Sequence, residues 1–218
     1  MSKRKSLTAV MALVAILMLG ALSATSASAA LPEFRPATVN KFTGTGGGFT
    51  IVDDLGTYSC NLTSVTGEIV SAKEVSKVVL TFSTKGGSIY CPTFCENGSE
   101  TWATKELKGR IGYINAAERR VGLLLEPTTQ PFATCTRFLY EGKIKGSIIG
   151  HIEPTDRAAT SFPLSFSRSG AKQTLQHFEG EELMHHLERE TNGGVSDGQV
   201  ALEGGTTLTM SKEVEIEA

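Results

Sequence analysis

The chain reads as an all-β protein, a single antiparallel β-sandwich or barrel-like domain behind an N-terminal signal peptide. Three observations predict this. A pair of alternating runs between Leu107 and Leu125 has the pattern of a β-hairpin. Many other short alternating runs follow one another at close spacing, separated by Gly-, Asp- and Glu-containing turns. Helical periodicity is nearly absent. That combination belongs to antiparallel sheets folded into sandwiches or barrels.

The hairpin is the firmest element. Leu107, Gly109, Ile111 and Tyr113 share one face and Lys108 and Arg110 the other, because side chains in a strand alternate faces. Glycines at 109 and 112 disfavour a helix, each costing about 1 kcal/mol there relative to alanine. The return run places Val121, Leu123 and Leu125 together, with Arg120 and Gly122 opposite. Asn115 to Arg119 fits a four- or five-residue loop built on a type I turn. Leu124 puts an apolar group on the second face, so part of that face is expected to be covered. Pro127 lacks the N–H a ladder needs and closes the unit.

The N-terminal stretch is expected to lie outside the domain. Lys3, Arg4 and Lys5 precede an apolar run from Leu7 to Leu22, and small residues end in Ala27-Ser28-Ala29. This is the order of a secretory signal peptide cleaved after Ala29. The apolar run is short of the roughly 20 residues that span a bilayer, and no membrane span is expected in the mature form. Removing residues 1–29 takes away three positive and no negative charges, leaving 18 against 23, or −5. Such a mild acidic balance gives no basis for binding nucleic acid or an anionic membrane. Residues 30–41, with Pro32 and Pro36, read as an extended leader, and residues 42–218 as one β-rich domain. Gly44 to Gly48 lacks the following Lys-Ser/Thr of a phosphate cradle and is taken as a flexible approach to the first strands.

Short strands are expected at Phe49–Val52, Thr57–Thr63, Thr66–Val70 and Val75–Ser83, the first two joined by the turn residues Asp53 to Gly56. Beyond the hairpin, Phe132–Tyr140 and Lys143–Ile152 are expected to pair across Glu141-Gly142. Ser161–Ser167 alternates aromatic or aliphatic residues with serines, and Pro163 assigns it to an edge or a bulge. Thr174–Phe178, Leu183–Thr191, Thr206–Met210 and Glu213–Glu217 complete the series. Glu181–Glu190 is compatible with a helix or a strand, and its neighbours favour a strand.

Four cysteines, Cys60, Cys91, Cys95 and Cys135, lie in the mature chain, and export makes two disulfides the expectation. Three connectivities are open. Cys91 and Cys95 share one loop while Cys60 and Cys135 each sit in an expected strand, which favours pairing 91 with 95 and 60 with 135. In the chain-entropy description these contribute about 2 and a little over 4 kcal/mol. Cys-x3-Cys is permissible for zinc, but no neighbouring histidine completes such a site.

Scans for chemistry return little. His151, His177, His185 and His186 are the histidines, and neighbours 185 and 186 would face opposite ways in a strand. No Gly-x-Ser-x-Gly elbow occurs. Ser169-Gly170-Ala171-Lys172 matches Ser-x-x-Lys in a turn-like setting without partner motifs. Glu153, Asp156, Glu179, Glu181 and Glu182 could include a glycosidase pair, which needs only a suitable separation. Asn61-Leu62-Thr63 and Asn97-Gly98-Ser99 match the glycosylation acceptor. Trp102, with Tyr90, Phe94 and Tyr113, could form a sugar-stacking patch, but such residues are more often core.

Five stretches, Thr66–Phe82 (TGEIVSAKEVSKVVLTF), Lys108–Pro127 (KGRIGYINAAERRVGLLLEP), Lys145–Pro154 (KGSIIGHIEP), His177–Gly180 (HFEG) and the tail EVEIEA, resemble a group of secreted, uncharacterised actinobacterial proteins. Members of that group carry a cysteine soon after the Val-Val-x-x-Phe strand, where this chain has Ser83-Thr84-Lys85. The resemblance implies export and a β-rich domain and brings no activity, cofactor or catalytic residue. The expected role is a secreted, non-catalytic domain, extracellular or envelope-associated, whose partner is cell-wall carbohydrate or a surface protein. A secreted hydrolase is the competing expectation, and self-association through the Ser161–Ser167 edge a third.

Overall fold

The computed structural model describes residues 31–54, 56–83, 101–137, 140–191 and 195–218, excepting the side chains of 135–141 and 191–197. Leu31–Ala218 forms one compact unit. Its strands are β1 (Glu33–Arg35), β2 (Asn40–Gly46), β3 (Gly48–Val52), β4 (Thr57–Ile69), β5 (Glu74–Ser83), β6 (Thr101–Ala103), β7 (Leu107–Asn115) and β8 (Arg120–Pro127). They continue with β9 (Ala133–Arg137), β10 (Tyr140–Gly146), β11 (Ile148–Ile152), β12 (Ala159–Phe166), β13 (Arg168–Ser169), β14 (Lys172–Gln173), β15 (Leu187–Thr191) and β16 (Val195–Glu217). No helix occurs among the described residues, so none there is long and apolar enough to cross a membrane.

The architecture is all-β, and the pairings close a ring. β2 and β3 keep one register along β4, Gly44 opposite Val65 and Gly48 opposite Asn61, and so act as one strand of the wall. From there the order is β4, β5, β7, β8, β11, β12 and β16, and β16 returns to pair with β2 and β3. Every pair is antiparallel, and wall neighbours follow one another in the chain. This is an up-and-down barrel, an arrangement that removes sheet edges by closure.

Alternation decides which residues face inward. Val121, Leu123 and Leu125 of β8 join Phe42, Phe49, Leu80, Phe82, Ile111, Phe162 and Leu208 in one continuous buried cluster. Trp102 belongs to it too, stacked on Phe82 with ring centroids 4.4 Å apart, so it is core and not a sugar platform. The hairpin has the expected register, Gly109 opposite Leu125 and Ile111 opposite Leu123.

Several boundaries differ from the sequence reading. The expected leader is part of the domain: β1 pairs with the end of β16, and Phe34 is 1% exposed. Gly44 to Gly48 is wall, because a side chain at 44 or 46 would meet the opposing backbone and Leu62. Thr57–Thr63 and Thr66–Val70 are one strand, β4, and Thr206–Met210 and Glu213–Glu217 are parts of β16. Lys143–Ile152 is not one strand. It breaks at Gly146, whose φ of +99° an L side chain rarely adopts, and β10 leaves the wall while β11 stays in it. β10 pairs with β9 about Arg137 and Tyr140, not across Glu141-Gly142. Ser161–Ser167 is an edge only in part: β16 lies along Ser161–Phe166 on one side, and β11 pairs with Leu164 and Ser165 on the other. Pro163 is tolerated because it lies beside Glu153, just past the end of β11, where its carbonyl still accepts from the Glu153 N–H at 3.1 Å.

β9, β10 and β15 form a side sheet on the first part of β16, which serves both sheets. Half-buried Arg189 of β15 clamps this sheet to the β3–β4 turn, reaching Asp53 at 2.7 Å and Asp54 at 2.9 Å. On the side of Leu202 away from β3, between the stretches of β16 that pair with β15 and β12, the Gln173 amide takes the place of a strand: its nitrogen donates to the Leu202 carbonyl at 2.9 Å and its oxygen accepts from the Leu202 N–H at 3.0 Å.

Candidate functional site

The densest grouping of chemically capable side chains lies on the outside of the barrel, where the segment Thr174–His186 crosses β7, β8 and β11. The expected strand over Thr174–Phe178 does not form, and neither helix nor strand covers 181–186; only from Leu187 does β15 begin. The segment is a strap. Its anchor is Phe178, 2% exposed, which packs with Leu124 and Ile149 in a second, outer cluster. Gly112 and Gly122 sit opposite each other beneath the ring, and a Cβ on Gly112 would come within 2.7 Å of it. Leu124 does cover the second face, as the sequence suggested, and the strap is what covers it in turn.

Polar contacts fasten the strap around that ring. The Arg110 guanidinium lies 4.7 Å from the Phe178 centroid, a cation–π distance, and donates to Glu181 Oε2 at 2.8 Å. The Glu179 N–H donates to the Tyr113 carbonyl at 2.7 Å, and the Glu179 carboxylate accepts from the Ala116 N–H at 2.6 Å. At the far end the His185 N–H donates to the Gln176 carbonyl at 2.5 Å.

His185 is 3% exposed. Its Nδ1 lies 2.9 Å from Ser147 Oγ at the β10–β11 corner, and its Nε2 faces Glu181 Oε2 at 3.8 Å without a hydrogen bond. Serine, histidine and carboxylate thus fall in line. The tautomer that suits this setting has Ser147 donating to Nδ1 and the Nε2–H directed at the carboxylate, since the alternative turns a lone pair toward a negative charge. Burial, and next the Arg110 charge, hold the imidazole below its ordinary range, so it is neutral at pH 7. Arg110 holds the Glu181 carboxyl below its usual range as well.

This line lacks what acyl transfer needs. The Ser147 N–H donates to the His186 carbonyl at 3.1 Å and the Gly146 N–H to Gln130 Oε1 at 3.4 Å, so neither is left for an oxyanion. The base would have to become a cation while enclosed beside the Arg110 charge. The acid is 3.8 Å away and already held by that arginine.

The other expected chemical residues scatter. His177 is exposed, His186 pairs with Glu188 at 2.7 Å, and His151 sits half-buried on β11, its pKa lowered by burial and then by Arg120. Asp156 is held by Arg119 at 2.8 Å, and Glu153 and Glu182 are exposed. Ser169 and Lys172 are partners across the small β13–β14 hairpin. Among the described residues no group of three or more His, Cys, Asp and Glu could hold a metal ion. Asn61 lies in the middle of the doubly flanked β4. Cys60 is buried and disulfide-bonded; Cys91, Cys95, Tyr90, Phe94 and Asn97, and the side chain of Cys135, lie outside the described residues.

The sequence reading missed Ser147, Phe178 and Arg110. One signal was available: Glu181 and His185 are four apart, but that spacing points at a helix, which does not form. No protein-family model, curated protein or solved structure matches the chain.

Proposed function

We propose that this chain is a secreted, non-catalytic β-barrel domain of the cell envelope that binds surface protein or cell-wall carbohydrate. The observation that carries this reading is the fate of the Ser147–His185–Glu181 line: the Ser147 N–H and the Glu181 carboxylate are spent on holding a strap to a wall, and the neighbouring Gly146 N–H is spent on Gln130. The solid apolar interior supports it too, since inward side chains from every wall strand merge into one cluster. Among the described residues Trp102 and Tyr113 are buried, which favours a protein partner over a sugar that stacks on aromatic rings. Pairing of Cys60 with Cys135 and of Cys91 with Cys95 belongs to the same proposal and is read from peptides of unreduced protein by mass spectrometry.

A pulldown from whole cells with the purified domain, run beside a glycan array, tests the role. Surface retention is the expected outcome. Absence of both retention and any glycan signal overturns it. The hydrolase reading keeps one specific observation in its favour, the 2.9 Å approach of Ser147 to His185. A fluorophosphonate probe that labels wild type but not Ser147→Ala would replace the binding role with that one; the expected result is no labelling of either.

A further inference from the structure

Of the clusters on this molecule, the strap is the one built so that a single proton can change it. Its hold on the wall has an apolar part, Phe178 over the Gly112–Gly122 pair, and a polar part that converges on His185. The imidazole is enclosed, and its one hydrogen bond, to Ser147, suits the neutral ring. The charged groups that face it are Arg110 from β7, Glu126 from β8 and Glu181 from the strap itself; His186 beside it is turned to Glu188. Arg110 already occupies Glu181 at 2.8 Å, so the carboxylate best placed to balance an imidazolium is engaged elsewhere.

We propose that Thr174–His186 is an acid-opened clasp, in which protonation of buried His185 frees the strap from the outer wall of β7, β8 and β11. In the closed state an added proton must go to Nδ1. Ser147 then has to turn its hydroxyl and accept, and a cation is left enclosed beside the Arg110 guanidinium. In the open state the ring is in water and takes the proton at its ordinary affinity, near pH 6.5. The open form therefore binds more protons at mildly acidic pH, and closure weakens as the pH falls below about 6.5. Glu181 does not produce this response, because its carboxyl titrates below its ordinary range. What opening uncovers is the apolar outer face of Leu124 and Ile149 with the glycine socket between β7 and β8. Leu183 and Met184, 65% and 48% exposed on the strap, leave with it. This inference goes beyond the envelope role and does not depend on it.

Amide hydrogen exchange on the intact domain tests the clasp. Protection at the Glu179, His185 and Ser147 amides is compared between pH 7.5 and 5.0 after correction for the intrinsic rate, with the Leu62 amide as the barrel reference. The expected result is a fall in strap protection approaching tenfold per pH unit below about 6.5, as release of one proton's linkage requires, with Leu62 unchanged. In His185→Gln the strap profile is flat. A flat wild-type profile, or the same slope in His185→Gln, overturns the clasp. Should that variant fail to fold, the wild-type imidazole is titrated by NMR. A midpoint below 6.5 that moves together with the strap amides supports it; a midpoint at or above 6.5 overturns it.

Discussion

Of the phenylalanine rings that lie over glycines among the described residues, Phe42 is inside the barrel and Phe178 outside it. Inside, Phe42 of β2 covers Gly67 of β4, its direct partner across the strand pair. Outside, Phe178 covers Gly112 and Gly122, partners of each other on β7 and β8. The chemistry is the same, an aromatic ring filling the space where a sheet has no side chain. The surroundings are not. Phe42 is held by two strand ladders and a cluster that runs through the whole barrel. Phe178 belongs to a segment without a ladder, packed against a cluster whose other buried members are Leu124 and Ile149. The inner ring is therefore coupled to global folding, and the outer ring to a local equilibrium between strap on and strap off.

The largest effect that can test this contrast comes from inside. Phe42→Ala should lower unfolding stability by about 3–5 kcal/mol, the ordinary range for removing a buried phenylalanine. It should shift the urea midpoint of every probe together, because the cavity lies in the one core that all wall strands share. Separate transitions for β7–β8 and for β2–β4 would break the comparison at its root.

Phe178→Ala removes as large a ring and should cost less on the global scale, about 1–3 kcal/mol, since the strap can leave before the barrel unfolds. The distinguishing readout is order, not magnitude. Exchange at the Glu179 and His185 amides should rise at pH 7.5 while the Leu62 amide keeps its protection. An equal loss at all three would mean that strap and barrel are one cooperative unit.

How much of this was legible beforehand follows the same division. The β7–β8 hairpin was readable because its information is local: period-two alternation, a short polar turn and a closing proline within about 20 residues. Even the covered outer face announced itself through Leu124. The closure of the ring was not readable, because it rests on β12 meeting β16 and β16 meeting β2, pairings between distant stretches that alternation alone does not select. The strap was misread for a related reason. Thr174 to Phe178 alternates well enough for a strand, but Phe178 finds its place over glycines more than 50 positions earlier. Gly146 could have been found: a glycine followed by serine in the middle of a ten-residue run is a signal of a break, and its left-handed backbone makes the β10–β11 corner that brings Ser147 to His185.

The smallest effect separates the strap's two polar devices. Arg110 and Glu181 keep 38% and 33% of their side chains exposed, so solvent screens the pair, and Glu181→Gln should cost only about 0.2–1 kcal/mol of strap closure at pH 7. The sign with pH follows from the carboxyl being held below its ordinary range by Arg110. The contribution is fully present above that range and disappears as the carboxylate is protonated below it, so wild type and Glu181→Gln should converge in acid. Between pH 7.5 and 5.0, by contrast, the variant should keep the histidine-driven opening, because removing a negative charge near His185 leaves Arg110 free to disfavour the imidazolium further. A Glu181→Gln strap that no longer responds in that window would move the proton from the ring to the carboxylate.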